Sequence, residues 1–184
     1  MKSLLKTVLT LIFLIGFAPI SQAQIAPEQP VTFLGTYTNM VSSEEHEEGK
    51  SILLWQTGDT LIGHMHSAYG MIGDTPTGVL ENLQYNPKNG SIEFQSKLTT
   101  GFDTDGNPNH DLFKFKGNYN KDKDEITGAF EQFDAKKPET PPIIEKVTLK
   151  RGMQDMDEDY QEETFADWQT FTDDILSFRG PQWN

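Results

Sequence analysis

The chain has no cysteine among its 184 residues. It can therefore form no disulfide bond, bind no zinc through sulfur and use no cysteine nucleophile. A lipid anchor on an N-terminal cysteine is excluded for the same reason. The folded state must be stabilised by non-covalent packing and hydrogen bonding.

Basic residues are also scarce. The chain has 15 lysines and arginines against 28 aspartates and glutamates, a formal net charge of −13. Nucleic-acid binding depends on cations that neutralise phosphates, and anionic membrane surfaces attract cations in the same way. We therefore expect no nucleic-acid partner, and the charge favours a cationic protein partner instead.

Long apolar runs are limited to one, at residues 8–18. That run is shorter than the roughly 20 apolar residues that a membrane-spanning helix needs. Two lysines precede it, and Ser21 and Ala23 place small residues at the positions that a signal peptidase recognises. The pattern predicts a signal peptide, residues 1–23, cleaved after Ala23. The remainder, with 13 basic and 28 acidic residues, is predicted to be secreted or periplasmic without membrane insertion.

Familiar catalytic motifs are missing as well. The sequence contains no Gly-x-Ser-x-Gly, no His-Glu-x-x-His and no glycine-rich phosphate loop. Asp74, His110 and Asp111 are the acid–base candidates that remain. No nucleophile accompanies them, and we therefore assign no catalytic residue and expect a non-enzymatic protein.

Short segments of alternating polarity follow a proline-containing linker at residues 24–30. Alternation with a period of two indicates strands, because successive side chains point to opposite faces. In Ser91–Leu98, for example, Ile92, Phe94 and Leu98 share one face. The predicted strands are Val31–Thr38, Lys50–Thr57, Thr60–Ala68, Thr77–Tyr85, Ser91–Leu98, Asp111–Tyr119, Glu125–Asp134 and Ile143–Lys150.

Short turns between these segments predict an antiparallel meander. Mid-strand glycines suit the bends of a small barrel, and eight strands can close into one without exposed edges. We therefore predict a mainly β protein, an eight-stranded antiparallel up-and-down β-barrel over residues 31–151. Residues 152–184 are predicted to form an acidic linker and one amphipathic α-helix, roughly 163–178, with its aromatic face packed on the barrel.

A barrel of this kind with a C-terminal helix resembles the calycin superfamily, which includes the lipocalins. Gly35-Thr36-Tyr37 is similar to the lipocalin Gly-x-Trp, and Arg151 stands where lipocalins place a basic side chain over that ring. The resemblance implies that Tyr37 and Arg151 close one barrel end and that a small apolar molecule is bound inside. The lipocalin Thr-Asp-Tyr segment and disulfide are absent, as is the avidin biotin-contact pattern.

The aromatic residues predicted to face the interior are the candidate ligand contacts. They either fill the barrel as core or leave a pocket for an apolar ligand. These residues are Phe33, Tyr37, Phe94, Phe113, Phe115 and Phe130.

His64-Met65-His66 is the candidate metal site. On a strand the two imidazoles point to the same side, about 6–7 Å apart, and imidazole suits zinc, copper or nickel. The acidic segment 44–48 could supply a further ligand, although it is also a typical solvated hairpin tip. The oxygen-rich loop at residues 103–111 could bind calcium, but it lacks the EF-hand spacing.

Three binding functions therefore remain open from the sequence, and a catalytic role comes fourth, behind them. The first is a secreted binding protein for a small apolar ligand, with no cofactor. The second is an acidic interaction or inhibitor module for a cationic protein. The third is a barrel that binds a divalent metal through His64 and His66.

Overall fold

The computed structural model describes residues 29–71, 75–152 and 164–178. The predicted signal peptide, most of the linker at 24–30 and the acidic segment at 153–163 lie outside these ranges. No helix within them is long and apolar enough to cross a bilayer. The elements are β1 (Val31–Thr38), β2 (Val41–Ser42), β3 (His46–Thr57), β4 (Thr60–Met71), β5 (Thr77–Val79), β6 (Glu81–Asn86), β7 (Ser91–Phe102), β8 (Pro108–Asn120), β9 (Glu125–Asp134), β10 (Ile143–Arg151) and α1 (Phe165–Ser177).

The strands form one antiparallel sheet in the order β5-β4-β3-β1-β10-β9-β8-β7-β6, with β2 paired to β3. The predicted mainly β, up-and-down architecture with one C-terminal helix is confirmed. Two details of the prediction need correction. The sheet has ten strands rather than eight, and it is not closed, because no pairing joins β5 to β6.

The segment Thr77–Tyr85, predicted as one strand, forms two strands, β5 and β6. That segment divides at Leu80, whose N–H donates to the Gly63 carbonyl at 2.9 Å. Its first part pairs with β4 and its second part with β7. The two ends of the sheet are thus consecutive in the chain without pairing to each other. The tenth strand is β2, a two-residue extension beside β3.

The interior is filled by a cluster of buried side chains from the inward faces of the strands. Its phenylalanine rings contact one another, with centroids 4.7 Å apart for Phe115 and Phe130 and 5.0 Å apart for Phe94 and Phe115. Buried aromatic pairs at such distances stabilise a core beyond their area burial. The cluster comprises Tyr37, Ile52, Leu54, Met65, Leu80, Ile92, Phe94, Leu98, Phe113, Phe115, Ile126, Phe130, Val147 and Leu149.

A second cluster lies on the outer face of the sheet, beneath α1. Helix α1 begins after Thr164, whose hydroxyl accepts the Asp167 N–H at 3.2 Å, and such a cap satisfies an otherwise unpaired donor. The helix buries Trp168, Thr172 and Ile175. Trp168 packs on Trp55 with ring centroids 4.6 Å apart, which confirms that the helix packs an aromatic face on the sheet.

A bulge in β1 determines which face each aromatic residue occupies. Phe33 pairs with Trp55 and Gly35 pairs with Leu54, so Leu34 is an extra residue between them. In a regular strand, residues 33 and 37 would share a face. Here Phe33 packs on Trp55 on the helix side, whereas Tyr37 belongs to the interior cluster. The structure therefore does not place Phe33 with the interior aromatic residues, contrary to the prediction.

Gly117 and Gly128 face each other across β8 and β9 and leave room for the Phe115 ring. A Cβ atom at Gly128 would lie 2.5 Å from Cζ of that ring and 2.5 Å from the Lys116 carbonyl oxygen. We expect Gly128→Ala to lower the free energy of unfolding by about 1–3 kcal/mol through overpacking.

Urea denaturation followed by circular dichroism measures this loss. The matched control is Gly152→Ala, because a Cβ atom there meets its nearest neighbour at an ordinary 3.4 Å. Equal losses in the two variants would contradict the proposed role of Gly128.

Candidate functional site

Two cavities lie at opposite ends of the sheet interior. The mouth cavity has a volume of about 1150 Å³ and the tyrosine cavity about 290 Å³. Along one face of β8, Asp111 and Phe113 line the mouth cavity, Phe115 follows in the core, and Tyr119 lines the tyrosine cavity. The phenylalanine rings therefore separate the two cavities.

The mouth cavity contains an ion pair between Lys50 and Glu145. Lys50 is buried on β3, and its Nζ lies 5.7 Å from the Phe130 ring centroid and 6.0 Å from that of Phe113. An ammonium over an aromatic face is attracted by the ring quadrupole. The cavity thus offers aromatic surface next to a paired charge.

The same ion pair spans a gap between strands. In the sheet order β1 lies between β3 and β10, but β1 meets β10 at only two register pairs, Tyr37 with Arg151 and Thr38 with Lys150. Strand β10 pairs with β9 over eight residues. At the mouth end, β3 and β10 are therefore linked by side chains rather than by a ladder of backbone hydrogen bonds.

The rim of the mouth cavity carries exposed apolar side chains. Tyr69 is 88% exposed, Met71 74%, Val41 71% and Ile143 68%, and all four line the cavity. Apolar side chains clustered at one site in this way mark ligand or protein contact surfaces more often than isolated exposed ones do.

Carboxylates outnumber cations in this cavity. Glu48, Asp111, Asp134 and Glu145 line it together with two lysines, Lys50 and Lys137. Asp111 stands directly opposite Asp134 across β8 and β9, and like charges in that arrangement destabilise a sheet. The Thr100 hydroxyl donates to Asp111 at 2.5 Å, and Lys137 Nζ lies 3.6 Å from Asp134.

At the tyrosine cavity the structure brings together Tyr37 and Arg151, the pair implied by the calycin resemblance. The guanidinium carbon lies 5.7 Å from the Tyr37 ring centroid, and the guanidinium donates to the Leu34 carbonyl. It lies across Gly35, whose φ of +129° favours glycine and whose missing Cβ leaves the necessary room. The contact joins β1 to the end of β10.

The predicted ligand-contacting phenylalanines lie mostly in the solid part of the interior. Phe94, Phe113, Phe115 and Phe130 all belong to the interior cluster. Phe113 lines the mouth cavity, and Tyr37 lines the tyrosine cavity. These residues thus act mainly as the layer between two cavities and not as the wall of one continuous pocket.

His64 lies beneath α1 in an aromatic enclosure. Its ring stacks on Trp168 with centroids 4.0 Å apart and planes 7° apart, and it makes edge contacts with Trp55 and Phe171. Its Nε2 lies 3.4 Å from the Thr172 hydroxyl, while the buried Nδ1 has no hydrogen-bond partner among the described residues. Burial lowers the pKa of His64 to about 3.

His66 shares the outer face of β4 with His64, as the alternation predicted. Burial lowers its pKa to about 4, against the opposing charge of Glu47. Across the described parts of the chain, no group of three or more histidine or acidic side chains is placed to hold a metal ion. The structure therefore brings no third ligand to the histidine pair.

The other candidates from the sequence do not converge either. His110 and Asp111 are adjacent on β8 and point to opposite faces, and Asp74 lies outside the described residues. In the 103–111 loop, Asp103 accepts the backbone N–H groups of Asp105 and Asn107 and pairs with Lys136 at 2.6 Å. That carboxylate is engaged by the loop itself and by a cation.

Sequence reasoning missed Lys50, although a signal for it existed. Lys50 shares the inward face of β3 with Ile52 and Leu54, and a lysine in such a register marks a buried charge. No sequence signal identified Asp124, because it lies at the end of a charged turn whose composition is the same as that of an ordinary solvent-exposed hairpin turn.

Acid is expected to loosen α1 through His64. Its pKa falls from 6.5 to about 3 on burial, so protonation favours the state in which the ring is exposed. The contribution of the neutral, buried His64 ring to the free energy of unfolding is fully present above pH 6.5. Below that pH it declines by up to about 1.4 kcal/mol per pH unit, until the lowered pKa of His64 is reached.

Tryptophan fluorescence in urea at pH 7 and at pH 4.5 measures this dependence. The variant His64→Phe keeps an aromatic ring and removes the titration, and we expect a smaller loss of stability in acid. His46→Gln, at an exposed position on β3, is the matched control and should behave as the wild type. Equal acid losses in His64→Phe and wild type would contradict the role of His64.

Comparison with family models, with curated proteins and with solved structures found no match to this chain. No family is therefore assigned to the chain, and the structure shows an antiparallel meander with one C-terminal helix.

Proposed function

We propose that this protein is a secreted, non-enzymatic, lipocalin-like binding protein that holds a small amphipathic molecule in the mouth cavity. The observation that carries the proposal is the cavity itself, at about 1150 Å³. Pockets for organic ligands typically measure roughly 300–1,000 Å³ and combine apolar walls with a few polar groups. The mouth cavity has the room and the mixed lining that such a ligand needs.

The positions of the lining residues suggest how the ligand lies. The Phe113 ring is buried at the inner end, next to the Lys50–Glu145 ion pair. Tyr69, Met71 and Ile143 are exposed at the rim. A ligand that covers these rim side chains removes apolar surface from water, worth about 25 cal/mol per Å². Its polar group would meet the ion pair.

The predicted signal peptide at residues 1–23 supports action outside the cytoplasm. The absence of cysteine agrees with a protein that keeps its fold without disulfides in that environment. The ligand would accordingly be an extracellular or periplasmic molecule.

A second candidate function is binding of a cationic protein at the same mouth. The observation that favours it is the pairing of Asp111 with Asp134 across two strands. Two facing carboxylates repel each other. The Thr100 hydroxyl and Lys137 offset part of that repulsion, and a lysine or arginine from a partner would offset more of it. The formal net charge of −13 would speed the encounter.

Filling the mouth cavity tests the first proposal. Ser67 lies opposite Lys50 across β3 and β4, on the inward face, and lines the cavity, so Ser67→Trp should reduce the affinity for the fluorescent probe N-phenyl-1-naphthylamine by about tenfold or more, a change equivalent to about 1.4 kcal/mol. Ala166→Trp, on the exposed side of α1, is the matched control and should bind as the wild type.

Circular dichroism establishes that the Ser67→Trp variant is folded, and Thr100→Trp, at a residue whose hydroxyl donates to the cavity-lining Asp111, fills the same cavity if it is not. Probe binding that survives in a folded, filled variant would overturn the proposal. Native mass spectrometry of protein from its own host would reveal a retained ligand.

Salt dependence tests the second candidate. Binding of decalysine, measured by titration calorimetry, should weaken as salt rises from 50 to 500 mM, because exposed charges are screened. Asp111→Asn/Asp134→Asn should weaken it further at low salt. Asp173→Asn/Asp174→Asn removes two exposed carboxylates from α1 and should have little effect. Equal losses from the two double variants would indicate attraction by net charge alone.

A further inference from the structure

The tyrosine cavity is organised around Asp124. The Oδ1 atom of this residue accepts a hydrogen bond from the Tyr37 hydroxyl at 3.0 Å and one from the Tyr119 hydroxyl at 2.9 Å. Its φ is +49°, in the left-handed region, which aspartate tolerates better than most side chains and which suits its place at the end of the turn between β8 and β9.

Both tyrosines remain hydrogen-bond donors. Burial raises the pKa of Tyr37 above its ordinary value, and its hydrogen bond to Asp124 raises it further. Burial likewise raises the pKa of Tyr119. A carboxylate has about four acceptor positions on its two oxygens. The two tyrosines both donate to Oδ1, so the carboxylate has the capacity to accept a further donor.

The charges that line this cavity balance. Asp124 supplies one negative charge and Arg151 one positive charge, and the Arg151 backbone N–H donates to the Asp124 carbonyl at 3.2 Å. A charged ligand would lose its hydration on entering the cavity and would find no net opposite charge to compensate for that cost. A neutral ligand avoids this cost.

The remaining walls are apolar and the volume is small. Aliphatic side chains face the cavity, and Tyr85, which is 40% exposed, also lines it. An apolar cavity of about 150 Å³ accepts benzene, so about 290 Å³ accommodates one ring with short substituents. The aliphatic lining residues are Leu34, Leu54, Leu61, Ile92 and Ile126.

We propose that the tyrosine cavity is a second binding site, separate from the mouth cavity, for a small neutral ring compound that carries one hydroxyl group. The ring packs on the aliphatic side chains and the hydroxyl donates to Asp124. Closure of this end by the contact of Arg151 with the Tyr37 ring requires neither the carboxylate nor the two tyrosine hydroxyl groups. The phenylalanine layer keeps this site independent of any ligand at the mouth.

Titration of isotope-labelled protein with p-cresol and with toluene, followed by NMR, tests the proposal. The two probes have similar rings, but toluene lacks the hydroxyl. A hydrogen bond to a charged group is worth about 1.5–3 kcal/mol, so we expect p-cresol to bind about tenfold more tightly or better. The amide signals that shift should be those near Asp124 and Tyr119, not those near Tyr69 and Met71 at the mouth.

Two variants assign the binding to this cavity. Leu61→Trp fills the space and should abolish p-cresol binding, whereas the exposed Ala166→Trp should not change it. Asp124→Asn keeps a residue that tolerates positive φ, removes the charge, and should reduce the preference for p-cresol over toluene. Circular dichroism establishes that each variant is folded.

Three results would overturn the proposal. The first is that p-cresol binds no more tightly than toluene or that neither binds. The second is that p-cresol binding persists in the folded Leu61→Trp variant. The third is that the shifted signals lie at the mouth. None of these results bears on the probe-binding experiment that tests the proposed function of the mouth cavity.

Discussion

Burial of strand β3 on both faces is the constraint on which the rest of the structure depends. Ile52 and Leu54 enter the interior cluster, while Leu53 and Trp55 lie in the cluster beneath α1. A strand in an antiparallel sheet usually has one face packed on the core and the other exposed to solvent. Here the helix covers the second face, and one strand therefore aligns the interior layer, the two cavities and the helix.

The main features of the fold could be predicted from the sequence because they are local. Alternating polarity in Ser91–Leu98 and its neighbours indicated the strands, and apolar residues at helical spacing indicated α1. The division at Leu80 could not be predicted, because it depends on which neighbours β5 and β6 find in the folded sheet. The bulge at Leu34 carries no clear signal either, and it reverses the face of Phe33 relative to Tyr37.

The candidate sites were predictable to a smaller extent. The contact of Arg151 with Tyr37 was expected from a resemblance, and the position of Lys50 on an inward face was available from alternation. The importance of Asp124 emerges only when the turn after β8 folds back against β1, since Tyr119 is a near neighbour in the chain but the other donor, Tyr37, is 87 residues away. The histidine pair illustrates the opposite case, because spacing on a strand says nothing about the helix that later encloses His64.

The short pairing of β1 with β10 has a consequence for exchange between the mouth cavity and solvent. Over the described residues, β10 between Ile143 and Leu149 has a strand neighbour on the β9 side only. The mouth can widen there by separating Lys50 from Glu145, with no loss of ladder hydrogen bonds. If a ligand occupies the mouth cavity as proposed, this gap offers it a path to solvent that leaves the hydrogen-bonded strands intact, and the Lys50–Glu145 ion pair is one contact that would have to separate.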